Sequence, residues 1–240
     1  MLIRDSPEGE GPQAHFHFPI TTTTGQEVLN VHDLAVVYSP NHVMASPIDF
    51  QLRKGERLAI IGPNGVGKST LLKTLLQLIP CLGGDFQFGA HVDYGYYDQN
   101  QDQLDPQLTV LDTIWNEHPM TAEKDIRSVL GSFLFRGDDV QKMVHQLSGG
   151  EKARLLLTKL AMEHHNVLIM DEPTNHLDIQ SKEVLEQALA DYEGTLLFVS
   201  HDRYFINHLA DKIIVVSPNG STLYEGNYDH YLEKRATDVV

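Results

Sequence analysis

Apolar residues follow two rhythms along this chain. They gather at strand density over Val28–Val37 and Ile48–Leu52. Arg57–Ile61, Val167–Met170 and Thr195–Val199 are short runs, almost wholly apolar, as expected of strands buried on both faces. Between them the period lengthens. Leu71, Leu72, Leu75, Leu76 and Ile79 repeat at helical spacing, with Pro80 as a stop signal. Ile126, Val129, Leu130, Phe133 and Leu134 form one apolar helical face, for which Thr121 is the expected N-cap. Ser148 with Glu151 three residues on is a capping box opening a further helix, and Ile179–Ala190 is amphipathic. Pro218-Asn219-Gly220 between Lys212–Val216 and Ser221–Tyr224 is a hairpin signal, and Tyr228–Arg235 is expected to close the chain as a short helix.

Strands alternating with helices predict an α/β core with a largely parallel sheet. The stretch from Gln103 to about residue 165 is expected to form a small, mainly helical subdomain. Residues 1–27 show no sustained period. They hold Pro7, Pro12, Pro19 and the Thr21–Thr24 run, and are expected to be a linker or flexible tail ahead of one domain over residues 28–240. There is no internal repeat.

Composition narrows the function classes. The chain has 240 residues, enough for one well-buried core and marginal for two. No apolar run approaches the roughly 18 residues that span a bilayer, and the start is not that of a signal peptide, so any membrane role is expected to come through a partner. The single cysteine, Cys81, excludes an internal disulfide framework and a cysteine-rich zinc site, and fits a reducing cytoplasm. The net charge is −15, of which the first 27 residues carry −3, so the acidity belongs to the domain and opposes a nucleic-acid-coating role.

The first candidate chemistry follows the Arg57–Ile61 run. Gly62-Pro63-Asn64-Gly65-Val66-Gly67-Lys68-Ser69, with Thr70 next, fits the strand–GxxxxGK[ST]–helix pattern. Glycines let successive N–H groups converge on an anionic phosphate, and the helix that follows adds the positive end of its dipole. Lys68 neutralises charge on the β- and γ-phosphates, and the Ser69 hydroxyl is placed for Mg²⁺. Four fixed positions coincide by chance in about one chain in a hundred of this length, and the required strand and helix flank them here.

The second follows Val167–Met170, where Asp171 and Glu172 stand at the tip of a buried strand. An acidic pair there is commonly a helix cap or a solvated turn. Downstream of a phosphate loop, Asp171 becomes a candidate Mg²⁺ ligand through water, and Glu172 the group that polarises the attacking water.

Leu147-Ser148-Gly149-Gly150-Glu151, just ahead of that strand, resembles the signature motif of the ATP-binding-cassette (ABC) family: a capped helix start with two glycines leaves bare N–H groups for phosphate oxygens. The resemblance covers about Val28 to Arg235. It implies a phosphate-loop ATPase core with a mainly parallel sheet, an antiparallel β subdomain and a small helical subdomain, with ATP and Mg²⁺ bound. It further implies that Gln99 contacts Mg²⁺ and the attacking water, and that Asn175–Asp178 is the loop bridging two cassettes. His201 would be the switch histidine at the γ-phosphate, and Tyr38 the aromatic stacked on adenine. Ser148, Gly149, Gly150 and Asp178 would then belong to a composite site completed head to tail by a second cassette, either a sister domain or a second copy. The remaining histidines, His164 and His165 among them, are expected at the surface.

Four further details resemble the second cassette of the ABC-F subfamily, whose two-cassette proteins act on ribosomes. They are Gly137-Asp138-Asp139, Ser200 to Phe205, Gly226-Asn227-Tyr228 ahead of Tyr231, and His15-Phe16-His17-Phe18-Pro19, which is similar to the exit of an inter-cassette linker. The expectation is half of a ribosome-acting factor, reaching the ribosome through a longer parent. The alternative is the ATPase subunit of a membrane transporter, with residues 103–146 docking on the membrane partner.

Overall fold

The computed structural model describes residues 15–39, 42–98 and 103–237, with Tyr38 and Ser39 described in backbone only. Two sheets form the frame. β1 (Glu27–Ser39) and β2 (His42–Arg53) run antiparallel. β3 (Arg57–Ile61) leads through a glycine-rich turn into α1 (Lys68–Leu75). β4 (Asp85–Phe88) returns to the free edge of β1 to make the order β2-β1-β4. β5 (Tyr94–Tyr97) precedes the helical stretch of α2 (Val110–Trp115), α3 (Glu123–Ser132), two short 3₁₀ turns and α4 (Gly149–Met162). The chain then alternates β6 (Val167–Asp171), α5 (Ile179–Ala190), β7 (Thr195–Val199) and α6 (Arg203–Leu209). It ends in the hairpin β8 (Lys212–Ser217) and β9 (Gly220–Glu225), followed by α7 (Tyr228–Thr237). The second sheet has the order β5-β6-β7-β3-β8-β9, parallel except for β9.

Every residue of β6 and β7 is buried, because each strand feeds both faces of the sheet. Leu168, Met170, Leu196 and Phe198 pack into the core shared with α4, α5 and α6, while Val167, Ile169, Leu197 and Val199 pack into the core shared with α1 and the antiparallel sheet. That two-sided burial is why these strands read as unbroken apolar runs.

Some expectations shift. The first helix stops at Leu75 rather than near Pro80, because Gln77 turns left-handed (φ 57°) and the N–H groups of Leu78 and Ile79 both fall on the Lys73 carbonyl. Thr121 is not the cap of α3. Ala122 takes that place without a side-chain hydrogen bond, and Glu123 and Asp125 in the first turn complement the helix dipole instead. Residues 15–26 carry no helix or strand, yet they are not loose: Phe16 and Phe18 are each only 5% exposed. Asn166, 3% exposed, ties the same segment down by donating to Thr22 Oγ1 and the His91 carbonyl while accepting the Asp93 N–H. The histidines at 164 and 165 are half-buried rather than superficial, and His165 sits between Asp93 and Glu163 at 3.1 and 2.8 Å.

Candidate functional site

The carboxyl ends of β3, β7 and β6, adjacent in the sheet, deliver the loop 62–70, His201 and the Asp171–Glu172 pair to one edge. A cleft of about 490 Å³ lies there. Asn64, Gly65, Gly67, Lys68, Ser69 and Thr70 line it from the loop side, and Glu172 and His201 from the strand tips. Gly62 and Val66 support the loop rather than line this cleft: a Cβ on Gly62 would stand 2.4 Å from the Val216 carbonyl, and the Val66 side chain is buried. At Gly67, the N-cap of α1, φ is 96° and a Cβ would meet Val36 Cγ1 at 2.6 Å, so only glycine closes the turn.

Lys68 is 7% exposed, and its Nζ donates to the Gly62 and Pro63 carbonyls at 3.0 and 3.1 Å. Burial pulls its ammonium below the ordinary lysine range, opposed by the charges of Glu172 and Asp171. Asp171 is pushed the other way: burial raises its carboxyl, while a hydrogen bond from the Ser69 hydroxyl lowers it. Its Oδ1 is buried with no hydrogen-bond partner. A hydroxyl beside a carboxylate with a spare buried oxygen fits a hard divalent cation such as Mg²⁺, which takes oxygen ligands.

Glu172 is 8% exposed, with its backbone held left-handed at φ 50° and its N–H on the Val199 carbonyl at 2.9 Å. Burial raises its carboxyl, opposed by His201 through both its charge and its backbone N–H. A carboxyl raised above its usual range beside a histidine, in a cleft and on a left-handed backbone, suits proton uptake.

Not every candidate residue lies at this cleft, and four of them were expected to serve a second cassette instead. Ser148, Gly149, Gly150 and Asp178 do not line it. Ser148 caps α4 by a reciprocal capping box, its Oγ accepting the Glu151 N–H at 3.2 Å while Glu151 Oε2 accepts the Ser148 N–H at 2.8 Å. Gly150 packs so closely on the loop at 175–178 that a Cβ would lie 2.6 Å from the His176 carbonyl. Asp178 caps α5, Oδ1 accepting the Ser181 N–H at 2.7 Å. Tyr38 falls near the end of β1 and its side chain lies outside the described residues, as does the whole of Gln99. Its neighbour Asp98 ends beside Lys73 of α1, 3.6 Å away. Asn175, read in the sequence only as the start of a loop bridging two cassettes, lines this cleft as well, and so do Met44 and Val199, which no motif in the sequence marked as site residues.

A family model described as ABC transporter matches residues 45–175. The ATP-binding protein YdiF of Bacillus subtilis is 52% identical over 239 residues, spanning 100% of this chain and 37% of that protein. ABC transporter F family member 5 of Arabidopsis thaliana is 41% identical over 92% of this chain and 32% of its own length. The chain thus spans about a third of the relatives it matches. Among solved structures, cbiO1 of Clostridium perfringens superposes with a TM-score of 0.68 at 24% identity, covering 89% of this chain and 93% of that one. A dimeric ATP-binding cassette bound to ADP and Pi gives 0.69 at 19% identity, covering 82% and 98%. These likenesses carry the fold: an α/β nucleotide-binding domain with a mainly parallel sheet and an antiparallel β subdomain.

Proposed function

We propose, from the premise that this chain belongs to the ATP-binding-cassette family of ATPases and is related to its F-family members, that it binds MgATP in the 62–70 cleft and hydrolyses it when paired with a second cassette. The observation that carries the reading is the contact of Glu172 with His201 beside the phosphate loop. The loop N–H groups and Lys68 hold the phosphates, with Tyr38 against the adenine. Ser69 and Asp171, with Gln99, would hold Mg²⁺, which supplies neutralisation of the phosphate charge. Glu172 takes the proton of the attacking water as it adds to the γ-phosphorus; the bond to the bridging oxygen breaks, leaving ADP and phosphate. His201 steadies the γ-phosphate. Ser148, Gly149, Gly150 and Asp178, away from the chain's own cleft, act on the nucleotide of the second cassette, be it a sister domain or a second copy.

In the cell we assign the chain to the cytoplasm, as part of a longer two-cassette factor that acts on the ribosome. The F-family relatives support this, and among the described residues no helix is long and apolar enough to cross a membrane. Co-sedimentation with 70S ribosomes tests it, using the natural-length protein bearing Glu172→Gln and ATP. Binding that requires ATP supports the assignment. Its absence, together with co-purification of a permease, points instead to a transporter subunit.

A further inference from the structure

The segment ahead of β1 is built into the helical part of the molecule. The Phe16 ring lies 4.3 Å from that of Phe133, tilted by 31°, and Phe18 stands edge-on to Phe16 at 5.2 Å and to Tyr192 at 6.2 Å. Phe133 opens the turn that follows α3. That turn is tightly held: Leu134 is left-handed at φ 69°, its N–H on the Gly131 carbonyl, and the Phe135 N–H reaches the Leu130 carbonyl at 2.9 Å. Both aromatic residues flanking Leu134 grip one guanidinium. Arg154 Nη1 donates to the Phe133 carbonyl at 3.2 Å, and its Cζ lies 4.7 Å over the Phe135 ring. Arg154 belongs to α4, the helix that opens at Ser148. Its charge also reaches Asp178, whose carboxyl is lowered first by its bonds to Ser181 and then by Arg154.

We propose that Phe16 is a positioning residue, and residues 15–20 a strap that sets the start of α4 through Phe133, Phe135 and Arg154. Displacing the strap loosens the turn Phe133–Phe135, releases Arg154 and lets the Ser148–Gly150 turn drift from the pose a partner's nucleotide requires. A misplacement of about 1 Å there is enough to slow chemistry without touching the chain's own phosphate loop. The inference rests on the reading that the signature turn acts on a second cassette.

The test uses the whole chain. Phe16→Ala should leave the affinity of its own loop for ATP within about twofold and lower kcat by roughly tenfold, with Phe16→Leu restoring most of it. Phe18→Ala, whose ring braces Phe16 at 5.2 Å and leans on Tyr192 at 6.2 Å, should lower Tm and lower kcat less than Phe16→Ala does. Mixing Phe16→Ala with Glu172→Gln should give turnover above the sum of the two alone, since one site then combines an intact Glu172 with an intact signature turn. Ser148→Arg mixed with Glu172→Gln is the control. If the control complements and Phe16→Ala does not, or if kcat falls only in step with the folded fraction, the strap is overturned. If the control itself fails, two copies of this chain do not pair, and the strap falls as a device acting between copies.

Discussion

Glu172 meets His201 twice: Oε2 accepts the His201 backbone N–H at 3.2 Å, and Oε1 lies 3.2 Å from the ring Nε2. A glutamine at 172 keeps an oxygen for the backbone N–H and the same shape, but gives up the charge and the capacity to take a proton. Glu172→Gln should therefore bind ATP as the parent does and lose turnover by about a hundredfold or more. Nucleotide titration beside a single-turnover phosphate-release assay checks it. ATP affinity falling as far as turnover would contradict the assigned role.

Asp171 and Glu172 make the cleft a place where stability is given up. Burial raises both carboxyls above their ordinary values of 3.8 and 4.5. Above those values the unfolded chain has released protons that the folded chain still holds. Stability therefore falls as the pH rises through the window up to the raised folded values, and the penalty is fully present beyond it. Asp171→Asn removes one share and should stabilise the nucleotide-free chain at neutral pH by on the order of 1 kcal/mol. The gain should shrink as pH is lowered toward 3.8. Denaturant unfolding at several pH values reads this directly, and a variant less stable than its parent at neutral pH would sink it.

Much of this site was legible because each piece needs a particular residue type at a fixed offset. The loop needs Gly67 where φ is 96°, the strand tips need carboxylates beside apolar runs, and α4 opens on a capping box visible as Ser148 and Glu151. The β3, β7 and α5 boundaries fall where the apolar pattern put them. What escaped depends on contacts distant in sequence. β5 is four residues with a glycine in the middle, and Gly95 is there because a Cβ would run into His165 and Leu160 at 2.4 and 2.5 Å. β4, also four residues long, is a strand only by virtue of its pairing with β1. Phe16 and Phe18 sit in a stretch with no period, so their burial follows from tertiary packing that no local rule announces.

The two glycines that open α4, Gly149 and Gly150, should respond differently to the same change. At Gly149 an added Cβ finds His176 side-chain atoms at 3.9 Å, an ordinary contact, whereas at Gly150 it meets the His176 carbonyl at 2.6 Å. Gly150→Ala must push the loop at 175–178 away or shift the helix start, at a cost of about 1–3 kcal/mol. Gly149→Ala should be nearly neutral for stability. Thermal unfolding of the two variants side by side checks this, and equal losses would argue against close packing of α4 on the loop that holds His176.

Lys68 carries the last prediction, because its amine serves two neighbourhoods. It donates to two carbonyls of its own loop, and its charge helps to hold down the buried carboxyl of Glu172, although His201 does more. Lys68→Ala removes the only lysine lining the cleft among the described residues, so ATP affinity should fall by about a hundredfold. Stability should change little, since relief from burying a cation offsets the lost hydrogen bonds. The second consequence is separable. Without that charge the Glu172 carboxyl rises further, so the acid limb of any residual single-turnover rate at saturating ATP should move to higher pH than in the parent. Lowered affinity with an unmoved acid limb would mean that Lys68 serves the phosphates alone and that His201 and burial set the base.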